Sequence, residues 1–86
     1  MTDRPAPADR TVEFSEDEFV KSRHSNGPTG GCVRLASKQG VVAVYSDLEP
    51  FPGSDRVQRF TVEEFSTFLR SAKEGEFDDL LTSEGI

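Results

Sequence analysis

Cys32 and His24 are the only Cys and the only His in this chain of 86 residues, so they alone could form a thiol nucleophile and its imidazole base. That chemistry needs the two side chains within hydrogen-bond reach, and nothing in their spacing enforces it. One Cys and one His also cannot form a structural zinc site, and no acidic loop has the spacing of calcium ligands. We therefore expect Cys32 to be a small buried residue at the start of a strand, and we predict no metal and no cofactor.

Other residue types that often do chemistry also have ordinary roles here. The glycines within residues 25–31 are followed by Cys-Val, whereas a phosphate-binding loop continues with Lys and then Ser or Thr. The adjacent carboxylates of Glu63 and Glu64 lie where a helix begins, and those of Asp78 and Asp79 lie in an acidic tail. The residues by themselves predict no catalytic site.

Residues 60–78 predict a short helix with both ends marked. Thr61 is a candidate N-cap, Glu64 completes a capping box, and Gly75 is placed to end the helix. Phe60 and Phe65 occupy the positions of a hydrophobic staple. The apolar residues recur at helical spacing and form one stripe, which consists of Val62, Phe65, Phe68, Leu69 and Ala72.

The central part of the chain predicts strands. Residues 32–36 and 41–45 form an antiparallel hairpin in this interpretation, with Gly40 available for a positive φ. The second of these strands is apolar on both faces and is expected to be central in the sheet, and residues 56–60 and 19–23 predict two further strands. Residues 11–19 stay open between a second capped turn, with Ser15 and Glu18, and a short strand.

These elements predict an α+β fold, in which a small three- to four-stranded antiparallel sheet packs against one C-terminal helix. The stripe of that helix is expected to cover one face of the sheet. Residues 1–10 are interpreted as a disordered leader, residues 11–81 as a single small domain and residues 82–86 as a flexible tail.

The net charge of −6 is unevenly distributed. Residues 1–18 carry −4, residues 19–59 carry +3 and residues 60–86 carry −5. Acidic ends disfavour direct binding of nucleic acid and favour a basic protein partner, although acids that simply hydrate a small domain remain an alternative. The longest apolar run has only the five residues 41–45, so we expect no membrane span and a cytoplasmic protein.

Five blocks of sequence carry a family resemblance. In order and spacing, F-V-K-S-R-H-S, G-G-C-V-R-L-A, G-V-V-A-V-Y-S-D, R-F-T-V-E-E-F-S-T-F-L and K-E-G-E-F-D-D-L resemble the BldB-like domain-of-unknown-function family (DUF 397) of actinomycetes. The likeness extends from about Phe19 to Leu80. Phe19 and Phe65 stand where Trp is usual in the family, and Tyr45-Ser46-Asp47 stands where Arg-Asp-Ser is usual.

The resemblance implies a small regulatory protein with no enzymatic activity. Such proteins are typically encoded beside a helix-turn-helix DNA-binding protein of the XRE type and are thought to act through it, and some affect development or antibiotic production. An antitoxin-like half of a two-gene pair, a homodimer subunit and a thiol-dependent enzyme using Cys32 are the alternatives.

Two surfaces are candidates for the partner contact. The first is the acidic and apolar C-terminal segment, with Phe77, Asp78, Asp79, Leu80 and Leu81. Alternatively, Phe77 and Leu80 fold back onto the sheet as ordinary core. The second candidate is a polar surface formed by Ser22, Arg23 and Asp47.

Overall fold

Four strands and a C-terminal helix follow one another along the chain in a computed structural model, which describes residues 6–22 and 31–82. The elements are a 3-10 helix (Glu16–Glu18), β1 (Val20–Lys21), β2 (Val33–Lys38), β3 (Val41–Ser46), β4 (Gln58–Thr61), α1 (Val62–Lys73) and the short α2 (Asp79–Thr82). The strands form one antiparallel sheet in the order β1-β2-β3-β4. The predicted α+β fold is confirmed, with four strands in the sheet.

The β2–β3 hairpin is the centre of the sheet. Its two-residue turn places Gln39 and Gly40 at φ values of 51° and 81°, the geometry that matches the twist of the flanking strands. Ala36 lies opposite Ala43, and the strands pair from residue 33 to residue 46. The predicted hairpin is therefore confirmed, with both strands slightly longer than expected.

Of the two structures considered for residues 11–19, the segment contains the capped turn, and the strand predicted for residues 19–23 follows it as β1. The N–H of Ser15 donates to Oε1 of Glu18 at 2.8 Å, which closes the single 3-10 turn. Phe19 then leads into β1, where Val20 pairs with Leu35. The capped turn aims Phe19 into the core and β1 onto the edge of the sheet.

The main cluster of buried apolar residues lies on one face of the sheet, and it is not the face that α1 covers. Its members are Val12, Phe14, Phe19, Ala36, Val41, Ala43 and Val57, with Ala8, Tyr45 and Phe51 packed against them. Phe19 is the hub of the aromatic contacts, with its ring centroid 4.9 Å from that of Tyr45 and 5.7 Å from that of Phe51. We call this side of the sheet the core face.

Arg59 ties the N-terminal segment to the sheet. Its Nη1 donates to the carbonyl oxygens of Val12 at 2.6 Å and Asp9 at 3.2 Å, and its Nη2 donates to that of Ser54 at 2.5 Å. The Ser54 hydroxyl in turn accepts the N–H of Phe14 at 2.9 Å. Residues 8–10 of the predicted leader therefore contact the domain, while the domain limits at residues 10 and 81 stay predictions.

Helix α1 begins directly after β4 and has the predicted ends. The N–H of Glu64 donates to Oγ1 of Thr61 at 3.0 Å, and the N–H of Thr61 donates to Oε1 of Glu64 at 2.8 Å, which completes the capping box. Phe60 and Phe65 pack with ring centroids 6.0 Å apart, as expected of a staple. Beyond the last turn, Gly75 has a φ of 83°.

Candidate protein-binding face

The face of the sheet opposite the core carries an apolar surface that the chain only partly covers. Side chains alternate between the two faces of a strand, so Leu35 and Val44 point away from the core that contains Ala36 and Ala43. We define the helix-side face as Val33, Leu35, Val44 and Phe60 of the sheet together with Val62, Phe65, Phe68 and Leu69 of α1.

Helix α1 shields this face incompletely. It contacts β3 and β4 and covers Val42, which is buried, yet Phe68 and Leu69 remain 46% and 43% exposed. On the sheet, Val33 is 57% exposed. The prediction that the helical stripe covers one face of the sheet is therefore only partly realised, since two residues of the stripe and Val33 of the sheet remain exposed to water.

Two clefts flank α1 on this face. One measures about 630 Å³ and its lining includes Val20, Val62, Arg70 and Lys73. The other measures about 770 Å³ and has a lining formed by Val33, Leu35, Val44, Phe60, Glu64, Phe65, Thr67, Phe68 and Leu69. We call the second one the apolar cleft. Within residues 6–22 and 31–80, five of the eight exposed large apolar side chains line one of these two clefts.

A row of aromatic rings runs along the apolar cleft. The ring centroid of Phe65 lies 6.0 Å from that of Phe60 and 5.4 Å from that of Phe68. Phe77 continues the row, stacked on Phe68 with centroids 5.5 Å apart and an interplanar angle of 24°. The helix-side face therefore extends from the sheet into the segment after α1.

This stacking joins one part of the predicted C-terminal contact to the face. Phe77 is 38% exposed and Leu80 is 71% exposed, so neither belongs to the buried core. Asp78 and Asp79 are exposed as well. The side chain of Leu81 lies outside the described residues. The backbone turns at Gly75, where the N–H of Asp78 donates to the Gly75 carbonyl oxygen at 3.2 Å.

Asp47 of the predicted polar surface has no free carboxylate oxygen, because each of its two oxygens accepts a hydrogen bond. Oδ1 of Asp47 accepts the N–H of Cys32 at 2.7 Å, and Oδ2 accepts Nε–H of Arg34 at 2.7 Å. The Cys32 N–H, followed by the Arg34 guanidinium, holds the pKa of Asp47 below its usual value. Ser22 is exposed just after β1, and Arg23 lies outside the described residues. Asp47 thus serves to fasten the open end of the β2–β3 hairpin.

Cys32 is buried beside that fastening, with 6% of its surface exposed. This confirms the expected small buried residue before a strand, and burial limits the access that a thiol nucleophile needs. His24 lies outside the described residues. In the parts of the chain that the structure describes, no group of three or more His, Cys, Asp or Glu residues could hold a metal ion.

Comparison with known proteins does not assign the chain to a family. No family model, no curated protein and no solved structure matches the chain. None of the helices within residues 6–22 and 31–82 is long and apolar enough to cross a membrane. The exposed helix-side face is therefore the feature from which a function can be argued.

The sequence predicts the apolar residues of α1 on this face, but it does not predict that they are exposed. The helical spacing predicts the stripe on α1 as the layer that covers one face of the sheet, and it does not indicate that Phe68 and Leu69 stay nearly half exposed. A signal for the actual arrangement does exist in the sequence, because Val12, Phe14, Phe51 and Val57 supply enough apolar volume to cover the other face of the sheet.

Proposed function

We propose that this protein is a non-catalytic regulator that acts by binding another protein, namely a helix-turn-helix transcription regulator of the XRE type. The observation that carries the proposal is the exposed helix-side face. A chain that has built its core on one side of a sheet and leaves a second apolar surface in water has the typical pattern of an interaction site.

Covering this face yields a useful free energy of association. Phe68 and Leu69 are each nearly half exposed, and fully burying such a side chain contributes about 1.5–3 kcal/mol. Covering the exposed parts of these two residues therefore contributes about 2 kcal/mol. Val33 and Phe77 add to this sum, so the helix-side face can contribute part of the affinity of a specific contact.

The choice of partner rests on the family resemblance and on charge. The five blocks that resemble the BldB-like family include most of α1 and Phe77. Residues 60–86 carry a charge of −5, and a DNA-binding protein presents a basic surface to which such a segment is attracted. Docking there would block the DNA-binding surface or place negative charge beside it, and either effect alters the affinity for DNA.

The proposal is tested by co-expressing the chain with the helix-turn-helix protein encoded next to it and passing the pair over a size-exclusion column. We expect the two proteins to elute as one complex. A chain ending at Gly75, which lacks Phe77 and the acids around it, should give a weaker complex while keeping its circular dichroism spectrum. Separate elution of two folded proteins would refute the proposal.

A further inference from the structure

The geometry points to a specific occupant of the apolar cleft: an amphipathic helix that carries Lys or Arg residues beside its apolar stripe. This inference rests on the proposed function, since it names the part of the partner that the protein would bind. It follows from the shape of the cleft, the state of its backbone groups and the sign of the charges around it.

The cleft has an apolar floor, formed by the sheet, and an apolar wall, formed by α1. Val33 and Val44 line it from the sheet, and Phe65 and Phe68 line it from α1. Its volume of about 770 Å³ lies in the range of sites that bury a ligand's side chains. With 12 residues, α1 is about 18 Å long and offers a wall of about three helical turns. A partner helix of similar length could lie along it and insert residues spaced three and four apart.

The backbone of the cleft floor favours a helix over an extended peptide. The floor is formed by β2 and β3, and the backbone groups of β3 are paired with β2 on one side and with β4 on the other. An extended segment lying on this floor would bury N–H and C=O groups that find no partner there. A helix satisfies its own backbone hydrogen bonds and offers only side chains.

The charges at the rim select a basic helix. Among the residues that the structure describes, Glu64 is the one charged residue that lines the apolar cleft, whereas Arg70 and Lys73 line the other cleft. At the far end of the aromatic row, Glu76 and Asp78 stand on either side of Phe77 in the chain, and both are exposed. Cations flanking the apolar stripe of the partner would meet the carboxylate of Glu64 at the cleft and those of Glu76 and Asp78 beside Phe77.

A second copy of this chain fits the cleft less well. A two-fold contact brings the same patch together from both subunits, so the acidic residues at the rim would face an identical set. Like charges opposed across an interface weaken it, whereas a basic helix turns the same carboxylates into a favourable contribution. Self-association is therefore an outcome that the experiment must distinguish.

The test uses a fluorescein-labelled synthetic peptide of Leu and Lys, about 14 residues long, that forms an amphipathic helix of four turns. Its binding to the full chain is followed by fluorescence anisotropy at about 0.15 M salt. We expect saturable binding, weakened about tenfold by Phe68→Asp. The matched control is Leu48→Asp, which adds the same charge at an exposed residue outside the cleft and should leave the affinity unchanged.

A second pair of variants tests the rim. Glu76→Lys with Asp78→Lys should weaken the Leu/Lys peptide severalfold, while Glu13→Lys with Glu49→Lys, which changes the net charge equally away from the cleft, should not. A Leu/Glu peptide of the same length should not bind. Equal weakening by both pairs would mean general attraction to an acidic protein and would overturn the inference, as would the absence of saturable binding.

Two further outcomes also overturn it. Sedimentation that shows a dimer of the chain alone, dissociated by Phe68→Asp, would assign the cleft to a second copy. A complex with the helix-turn-helix regulator that survives Phe68→Asp would leave the proposed function standing and place the contact elsewhere. Circular dichroism of Phe68→Asp confirms that the variant is folded, as expected for a side chain that is already 46% exposed.

Discussion

Replacing Arg59 with Met should destabilise the fold, because the half-buried Arg59 joins three separate segments. Its guanidinium donates to the carbonyl oxygens of Val12 and Asp9 in the N-terminal segment and to that of Ser54 in the loop before β4. Met retains most of the aliphatic volume that packs near the ring of Phe14, 5.5 Å from the guanidinium carbon. The substitution therefore removes the hydrogen bonds while disturbing the packing little.

The size of the effect follows from the part-buried bonds. A hydrogen bond made by a charged group contributes about 1.5–3 kcal/mol, and the bonds to Val12 and Ser54 are both part-buried. The bond to Asp9 is exposed and adds little. Nε of Arg59 is buried with no partner among the described residues, so its removal offsets about 1–2 kcal/mol of the loss. The two bonds together contribute about 3–6 kcal/mol, so the expected net decrease in the free energy of unfolding is about 2–4 kcal/mol.

Urea unfolding followed by circular dichroism measures this difference. With an m value of about 1 kcal/mol/M for so small a domain, the midpoint should fall by about 2–4 M. Arg56→Met, which removes the same charge from an exposed residue three positions earlier, is the control and should change the midpoint little. A loss below about 1 kcal/mol, or an equal loss in the control, would refute the assignment of Arg59 as the tie between the segments.

Four other predictions follow from single residues. The folded-state pKa of Asp47 lies below its usual value of 3.8. The stabilising contribution of its carboxylate is therefore complete above about pH 4 and is lost as the pH falls through that lowered pKa. Urea midpoints at about pH 7 and pH 3 should differ less in Asp47→Asn than in the unaltered protein. Thr61→Ala removes the N-cap of α1 and should cost about 1 kcal/mol in urea unfolding, whereas Thr61→Ser should cost less. Gly40→Ala meets no atom within 4 Å but holds a φ of 81°, so thermal unfolding should show a loss of about 1 kcal/mol from backbone strain alone. Cys32→Ala should leave co-elution with the helix-turn-helix regulator intact, whereas a thiol-dependent mechanism would lose its activity in this variant.

Local signals were sufficient to predict α1 and the hairpin. Thr61, Glu64 and Gly75 act within a few residues of themselves, so the ends of the helix depend on short-range hydrogen bonds that can be recognised in the sequence. The same holds for Gly40, which is needed at a positive φ between two apolar strands. The sequence also indicated that β3 is central, because it is apolar on both faces.

That two-sided pattern is also the reason why the position of the core could not be predicted. Ala43 points to one face of the sheet and Val44 to the other, and both are apolar, so the strand does not indicate which side is packed. The choice is made by Phe14, Phe19 and Phe51, which lie in segments without helical or strand period and reach the core face through the turn at Glu16–Glu18 and the loop before β4. Such contacts depend on the path of the chain and not on a local pattern.

The sequence predicts the helical stripe of the helix-side face as a covered surface, whereas the structure leaves part of it exposed. Phe68 and Leu69 have the spacing of buried helical residues. A periodic pattern does not distinguish a stripe that the same chain covers from one that stays exposed. Phe77 was proposed as a contact residue and lies beside Phe68 on the helix-side face. Asp47 was proposed for its polarity, yet its hydrogen bonds to Cys32 and Arg34 depend on a hairpin register that polarity alone does not reveal.

The hydrogen bonds of Arg59 to the N-terminal segment also affect the order in which the fold can form. They join residues that are 47 and 50 positions apart, and the hydrogen bond between Phe14 and Ser54 spans 40 positions. The N-terminal segment therefore gains these bonds only when β4 and the loop before it are available, so the core face closes through contacts between distant parts of the chain.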